Sequence, residues 1–156
     1  MLAWGGRRIG PLTVAEGALP PAPLLLDAFH RMEAGGDGFW IAPWLFVDTV
    51  SKAVVGSGGF KGEPQQGRVE IGYGVAEAAR NLGVASCAVC QLTERALANR
   101  QVQVVYAESR IDNVPSRRVL EKSGFVHIGR RESDEDGPVD CWQRARGDRD
   151  AEAAGL

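Results

Sequence analysis

The stretch Arg80-Asn81-Leu82-Gly83-Val84-Ala85 decides how this chain is read. It lies between a strand-like run, Val69 to Val75, and a helix-like run, Gly83 to Ala98. An Arg-x-x-Gly-x-Ala turn from strand to helix suits a pyrophosphate. Gly83 and Ala85 are small, so the backbone can come close to a bulky anion. The first N–H groups of the following helix have no acceptor inside it and point outward. With the positive end of the helix dipole they form an anion site. Arg80 adds a fixed charge, and Asn81 tolerates turn conformations. Taken alone, the turn also fits an ordinary helix start beside an arginine.

A second signal lies about thirty residues on. Asn113-Val114-Pro115-Ser116 opens a short helix that closes at Gly124-Phe125. Asn113 is a good N-cap, and Pro115 suits a first turn, where its missing N–H costs nothing. Gly124 can end the helix in a left-handed conformation. A well-capped helix and no more is the simplest reading of these residues by themselves.

Together the two signals resemble the GCN5-related N-acetyltransferase (GNAT) family. Its pattern is R/Q-x-x-G-x-G/A, a strand, N-x-x-(A/S), then G-F. The matching residues are Arg80, Gly83 and Ala85, the strand Val104 to Ser109, then Asn113, Ser116, Gly124 and Phe125. The flanking text, Val69 to Val75 and Val119 to Phe125, looks like the ribosomal-protein N-acetyltransferase branch of RimJ/RimL type. The resemblance runs from about Trp44 to Arg144.

This resemblance implies an α/β (α+β) fold. A mixed central sheet, splayed between its fourth and fifth strands, is flanked by helices, and the pantetheine arm enters the splay. It implies acetyl-CoA as cosubstrate, on Gly74, Val75, Arg80, Asn81, Leu82, Gly83, Val84, Ala85, Asn113 and Ser116. It implies an amine acceptor, whether a protein N-terminus, a small amine or an antibiotic, and it admits a homodimer. Asn81 replaces a glycine frequent after the Arg. Leu120 stands where many members carry a Tyr, which removes the usual phenol for the leaving thiolate. Ser116 can hydrogen-bond the sulfur or the pantetheine, or it can be a capping hydroxyl. The missing Tyr keeps open a CoA-binding or regulatory module without turnover.

Acetyl transfer needs an amine freed of its proton and donors for the developing oxyanion. Glu70 is the first candidate for the proton, directly or through a water. In Arg68 to Val75, Val69, Ile71, Tyr73 and Val75 point one way and Glu70, Gly72 and Gly74 the other. Glu70 therefore shares its face with two glycines, which either mark a bulge or close packing or leave a slot for a ligand. A partly apolar surround can raise such a carboxylate's pKa toward a useful value. Glu70 can instead pair with Arg68 or Arg110. Glu132 is the reserve candidate. A backbone N–H near Gly74 or Val75 is the expected oxyanion donor.

Composition narrows the classes. The 156 residues suit one acetyltransferase domain, with a core from about 24 to 144 and a charged tail from Ala145. At 44% hydrophobic and 24% charged, the chain reads as an ordinary globule. Net charge −2 gives no basic footprint for nucleic acid. No run approaches the roughly 20 apolar residues of a membrane span. Met1 to Gly10 lacks a signal-peptide apolar core, and residues 1–23 have no assigned role. Cys87 and Cys90 form a C-x-x-C, but Cys141, His30 and His127 supply no second ligand pair, so no metal is expected. Three reduced thiols suit a cytoplasmic protein. A dinucleotide-binding reading fails because Gly72-Tyr73-Gly74 lacks the third glycine.

Elsewhere, Leu24 to Glu33 reads as a helix with Leu25, Leu26, Phe29 and Met32 at helical spacing. Gly35 to Gly38 breaks it. Ala42 to Asp48 and Ala53 to Gly59 read as antiparallel strands, and Phe125 to Arg131 with Val139 to Arg144 as a closing hairpin. The acidic turn at Asp134 to Asp136 and Glu70 lean toward a cationic acceptor. In the helix after the Arg80 turn, Ala85, Ala88, Val89, Leu92 and Ala96 form the apolar stripe. Phe39, Trp40, Trp44 and Phe60 form an aromatic group that is core or acceptor pocket.

Overall fold

The computed structural model describes residues 7–147. In chain order these hold β1 (Arg7–Ile9), β2 (Leu12–Val14), α1 (Ala22–Glu33), α2 (Gly38–Ile41), β3 (Trp44–Asp48) and β4 (Ala53–Phe60). Then come β5 (Arg68–Val75), a 3-10 turn (Glu77–Ala79), α3 (Val84–Leu97), β6 (Val104–Arg110), α4 (Val114–Lys122), β7 (Val126–Ser133) and β8 (Gly137–Ala145). Hydrogen-bonded strands follow the order β1-β2-β4-β5-β6-β8-β7, with β3 on β4.

The described residues fall into two compact units. One takes those up to Glu63 and Gly72–Ala88; the other takes Pro64–Ile71 and those from Val89 on.

In the first unit, β4 pairs antiparallel with β3 and parallel with β2. Ala53, Val54 and Val55 are buried, because β4 is covered along most of its length. A small core joins Val14, Ala15, Ala18, Val54 and Ala76. The aromatics pack as a cluster. Phe39 meets Trp40 edge-on at 4.6 Å and stacks on Phe60 at 5.8 Å, and Trp44 donates its indole N–H to Phe39 O. Asp37 caps the short α2 by accepting from Phe39 N–H at 2.9 Å, a helix hidden in sequence by its flanking glycines.

In the second unit, β5 and β6 run parallel over Arg68–Ile71 and Val104–Ala107. β6 then pairs antiparallel with β8 along its whole length, and β8 pairs with β7. The β5–β6 ladder stops at Ile71↔Ala107, while β6 runs on through Glu108–Arg110. The expected splay is between the fourth and fifth strands; the strand before the Arg80 turn and its parallel neighbour are β5 and β6 in chain order. The short helix carries the expected caps: Asn113 accepts from Ser116 N–H, and Gly124 has φ +84.

Residues 7–14, to which the sequence assigns no role, hold β1 and β2, three residues each and too short for a period to show. α1 forms, yet none of its residues is buried, and Leu26, Phe29 and Met32 are exposed. The charged end is not a tail from Ala145, which lies in β8, and Arg146 donates to the carbonyls of Leu97, Asn99 and Val102. Residues 148–156 of the expected tail lie outside the described residues.

Candidate active site

The Arg80–Ala85 turn is built within the first unit. β5 ends at Val75, and Ala76 N–H is fixed to Val55 O of β4 at 2.8 Å. The 3-10 turn follows with Ala79 buried, so the chain enters the turn from a fixed point. Asn81 (φ +64) and Gly83 (φ +77) are both left-handed. Such conformations suit Gly and Asn, which explains both residue types here. The first intrahelical bond of α3 is Cys87 N–H to Gly83 O, 3.1 Å. The N–H groups of Gly83, Val84 and Ala85 thus come before Cys87, the first helical donor.

The turn is open rather than packed. A Cβ on Gly83 would meet nothing within 4 Å, Leu82 is 68% exposed, and Arg80 is exposed. What the glycine supplies is backbone conformation and room above it. Gly74 is equally open, whereas a Cβ on Gly72 would touch Lys61 Cε at 3.4 Å. On β4 the case is opposite. A Cβ on Gly56 would stand 2.6 Å from Gly74 O, and one on Gly58 2.7 Å from Gly72 O. These β4 glycines were not singled out in sequence; their near-alternation in Gly56-Ser57-Gly58 was the available signal.

Glu70, Asn113, Ser116 and Glu132 belong to the second unit. Glu70 is half-buried on β5, registered beside Tyr106 of β6. Arg110 donates to Asp112 at 3.1 Å, and the Arg68 guanidinium lies 3.8 Å from the Tyr106 ring centre. Ser116 is half-buried and gives its N–H to the Asn113 cap at 3.1 Å, so the helix is capped by the amide of Asn113. Glu132 is exposed, and its carbonyl accepts from Arg131. Leu120 is fully buried.

Beside Glu70, the same face of β6 carries Tyr106 and Glu108, which sequence reading left unassigned although period-two alternation puts them together. Arg131 forks onto Glu108 at 2.9 and 2.6 Å. Burial pushes the Tyr106 phenol up to about 12, helped by its bond to Cys141 and the Glu108 charge. The Arg131 guanidinium is held further above its usual range by Glu108 and Tyr106.

Comparison with known proteins fixes the class. The family model for the acetyltransferase (GNAT) domain matches residues 22–126. The chain belongs to the GNAT acetyltransferase family. It is similar to the uncharacterized N-acetyltransferase YjdG of Bacillus subtilis (strain 168), 33% identical over 84 residues, 53% of this chain and 50% of that protein. The aligned part thus spans about half the length of that curated relative. Solved structures share the fold. The acetyltransferase (GNAT family) from Bacillus anthracis aligns with TM-score 0.60 and 19% identity over 66% of this chain and 65% of that one. Aminoglycoside acetyltransferase AAC(6')-Ib, in complex with coenzyme A and kanamycin, aligns with TM-score 0.62 and 18% identity over 71% and 70%.

Proposed function

We propose that the chain is a single-domain, acetyl-CoA-dependent N-acetyltransferase, nearest in kind to the RimJ/RimL branch. It moves acetyl directly from the thioester to a primary amine, on a protein N-terminus or a small molecule. The observation that carries this reading is the left-handed Asn81–Gly83 turn with open space above it at the start of α3.

In this reading the pyrophosphate takes the N–H groups at the start of α3 and the charge of Arg80. Glu70 accepts the amine proton, directly or through a water. The neutral nitrogen bonds to the acetyl carbon, and a backbone N–H near Gly74 or Val75 holds the oxyanion. The C–S bond then breaks, the nitrogen gives its second proton to solvent water, and the thiolate takes a proton from that water while Ser116 hydrogen-bonds the sulfur. Asn113 sets the first turn of α4 at that end. The exposed acidic turn, Asp134–Asp136, favours a cationic acceptor. The three cysteines, none in a disulfide, fit a cytoplasmic setting, and family resemblance supports a homodimer, which light scattering tests.

One observation favours a second reading, a CoA-binding module without turnover: the fully buried Leu120 leaves no phenol at that position. Two measurements separate the readings. Calorimetry with CoA tests binding, and no heat at millimolar CoA refutes both. Mass detection of acetylated product from amino acids, polyamines, aminoglycosides and short peptides tests turnover.

A further inference from the structure

Of the nine residues of α4 only Leu120 is fully buried, with Ser116 and Val119 half-buried beside it. The two ends of α4 are held by two buried side chains of β8. Asp140 and Arg144 are four residues apart on the strand and so project from one face. Arg144 donates to Ser123 O, just past the end of α4, at 3.3 Å. Asp140 Oδ2 accepts from Arg117 Nη2, in the first turn of α4, at 3.2 Å. The other oxygen, Oδ1, is bonded by His127 Nε2 at 2.9 Å and Arg130 Nε at 3.0 Å, both from β7. Asp140 is 1% exposed, so its carboxylate is locked from two sides and cannot swing. Arg117 directly follows Ser116, and its own N–H bonds to Asn113 O at 3.1 Å.

We infer that Asp140 is a positioning residue for acetyl transfer: through Arg117 it sets the first turn of α4, and with it Ser116. The inference rests on the reading above that Ser116 works at the sulfur end. Without the tether, α4 pivots about Leu120 and the Ser116 hydroxyl loses its placement, while the rest of the chain stays folded.

The test uses the full chain with Asp140→Asn, Arg117→Gln, Ser116→Ala and the double variant Arg117→Gln/Ser116→Ala. Arg146→Gln serves as a destabilised control away from α4. Asp140→Asn and Arg117→Gln should lower kcat on the order of tenfold with the amine KM within about twofold, as misplacement of a reacting group does. Arg146→Gln should lower the melting temperature and leave kcat unchanged. In the Ser116→Ala background, Arg117→Gln should add no further loss; losses that multiply overturn the inference. Hydrogen exchange gives a readout independent of turnover. The amides of Val114 and of residues 116–118 should exchange faster in Asp140→Asn and Arg117→Gln while 120–125 stay protected; uniform or absent acceleration overturns the tether. A wild-type chain that acetylates no amine would refute the proposed function, and exchange would still decide whether Asp140 sets the turn.

Discussion

Gly56 and Gly74 meet so closely across β4 and β5 that a Cβ on Gly56 would stand 2.6 Å from the carbonyl oxygen of Gly74. The contact is one-sided, since a Cβ on Gly74 would meet nothing within 4 Å. β4 thus gives up side chains to let the end of β5 lie close, and Gly74 keeps its other side clear. Gly56→Ala and Gly58→Ala should each destabilise by about 1–3 kcal/mol through overpacking. Gly74→Ala should leave the melting temperature unchanged and raise the KM for acetyl-CoA. Thermal melts paired with initial rates check both halves, and equal melting losses at Gly56 and Gly74 would remove the asymmetry.

At the turn, Arg80→Ala should weaken CoA by about 1.5–3 kcal/mol, the usual range for hydrogen bonds to a charged group. The loss should shrink as salt rises, because Arg80 is exposed. Gly83→Val should cost more. The space beside Gly83 is open, so the cost comes from forcing a β-branched residue to φ +77 and from the side chain covering the anion site. Calorimetry with CoA at two salt concentrations measures both effects.

The buried Asp140 makes stability depend on acid. The His127 bond, with the Arg130 bond and charge, holds its carboxyl below the ordinary 3.8 despite burial. A depressed folded pKa contributes stability that is present above the unfolded value and is lost as pH falls through the folded one. Asp140→Asn should cost about 1–3 kcal/mol at neutral pH; the half-exposed partners Arg117, His127 and Arg130 keep it below the full penalty for a broken buried pair. Wild type and variant should converge as pH falls below about 4. Urea melts across pH check this, and a constant gap down to pH 2 would rule the charge out as the cause.

At the alkaline end, Tyr106 should behave as the mirror case. Its phenol pKa is raised to about 12 from 10.0, so the folded state favours the protonated form. That stability is fully present below pH 10 and is lost as pH rises through 12. Ultraviolet titration of Tyr73→Phe, which leaves Tyr106 as the sole tyrosine, should show phenolate formation delayed relative to the unfolded chain. An ordinary midpoint near 10 would contradict the buried, hydrogen-bonded placement.

Where local chemistry and period act over enough residues, sequence carried the fold. Arg68–Val75 alternates over a full strand, and Asn113 with Gly124 brackets α4 by capping rules alone. The turn was legible because Gly83 and Asn81 are the residue types left-handed backbone demands. β1 and β2 were illegible at three residues each. The α1 stripe was read correctly as a helix, but periodicity carries no statement of what covers it, and its large side chains are exposed. Glu108, Arg131 and Asp140 escaped because their roles come from pairings 10–23 residues apart in sequence, set by strand register rather than by local pattern.

The central claim is direct acetyl transfer to an amine whose proton Glu70 accepts. The most direct test is the pH profile of product formation from acetyl-CoA and a primary amine, measured by mass for wild type and Glu70→Gln. Wild type should yield acetylated amine. Glu70→Gln should be slower by on the order of 100-fold at neutral pH, as loss of a general base is. Its CoA affinity should be unchanged, and the gap should close at high pH, where the amine is already neutral. No acetylated product from wild type, or equal rates for the two proteins at neutral pH, would contradict the account.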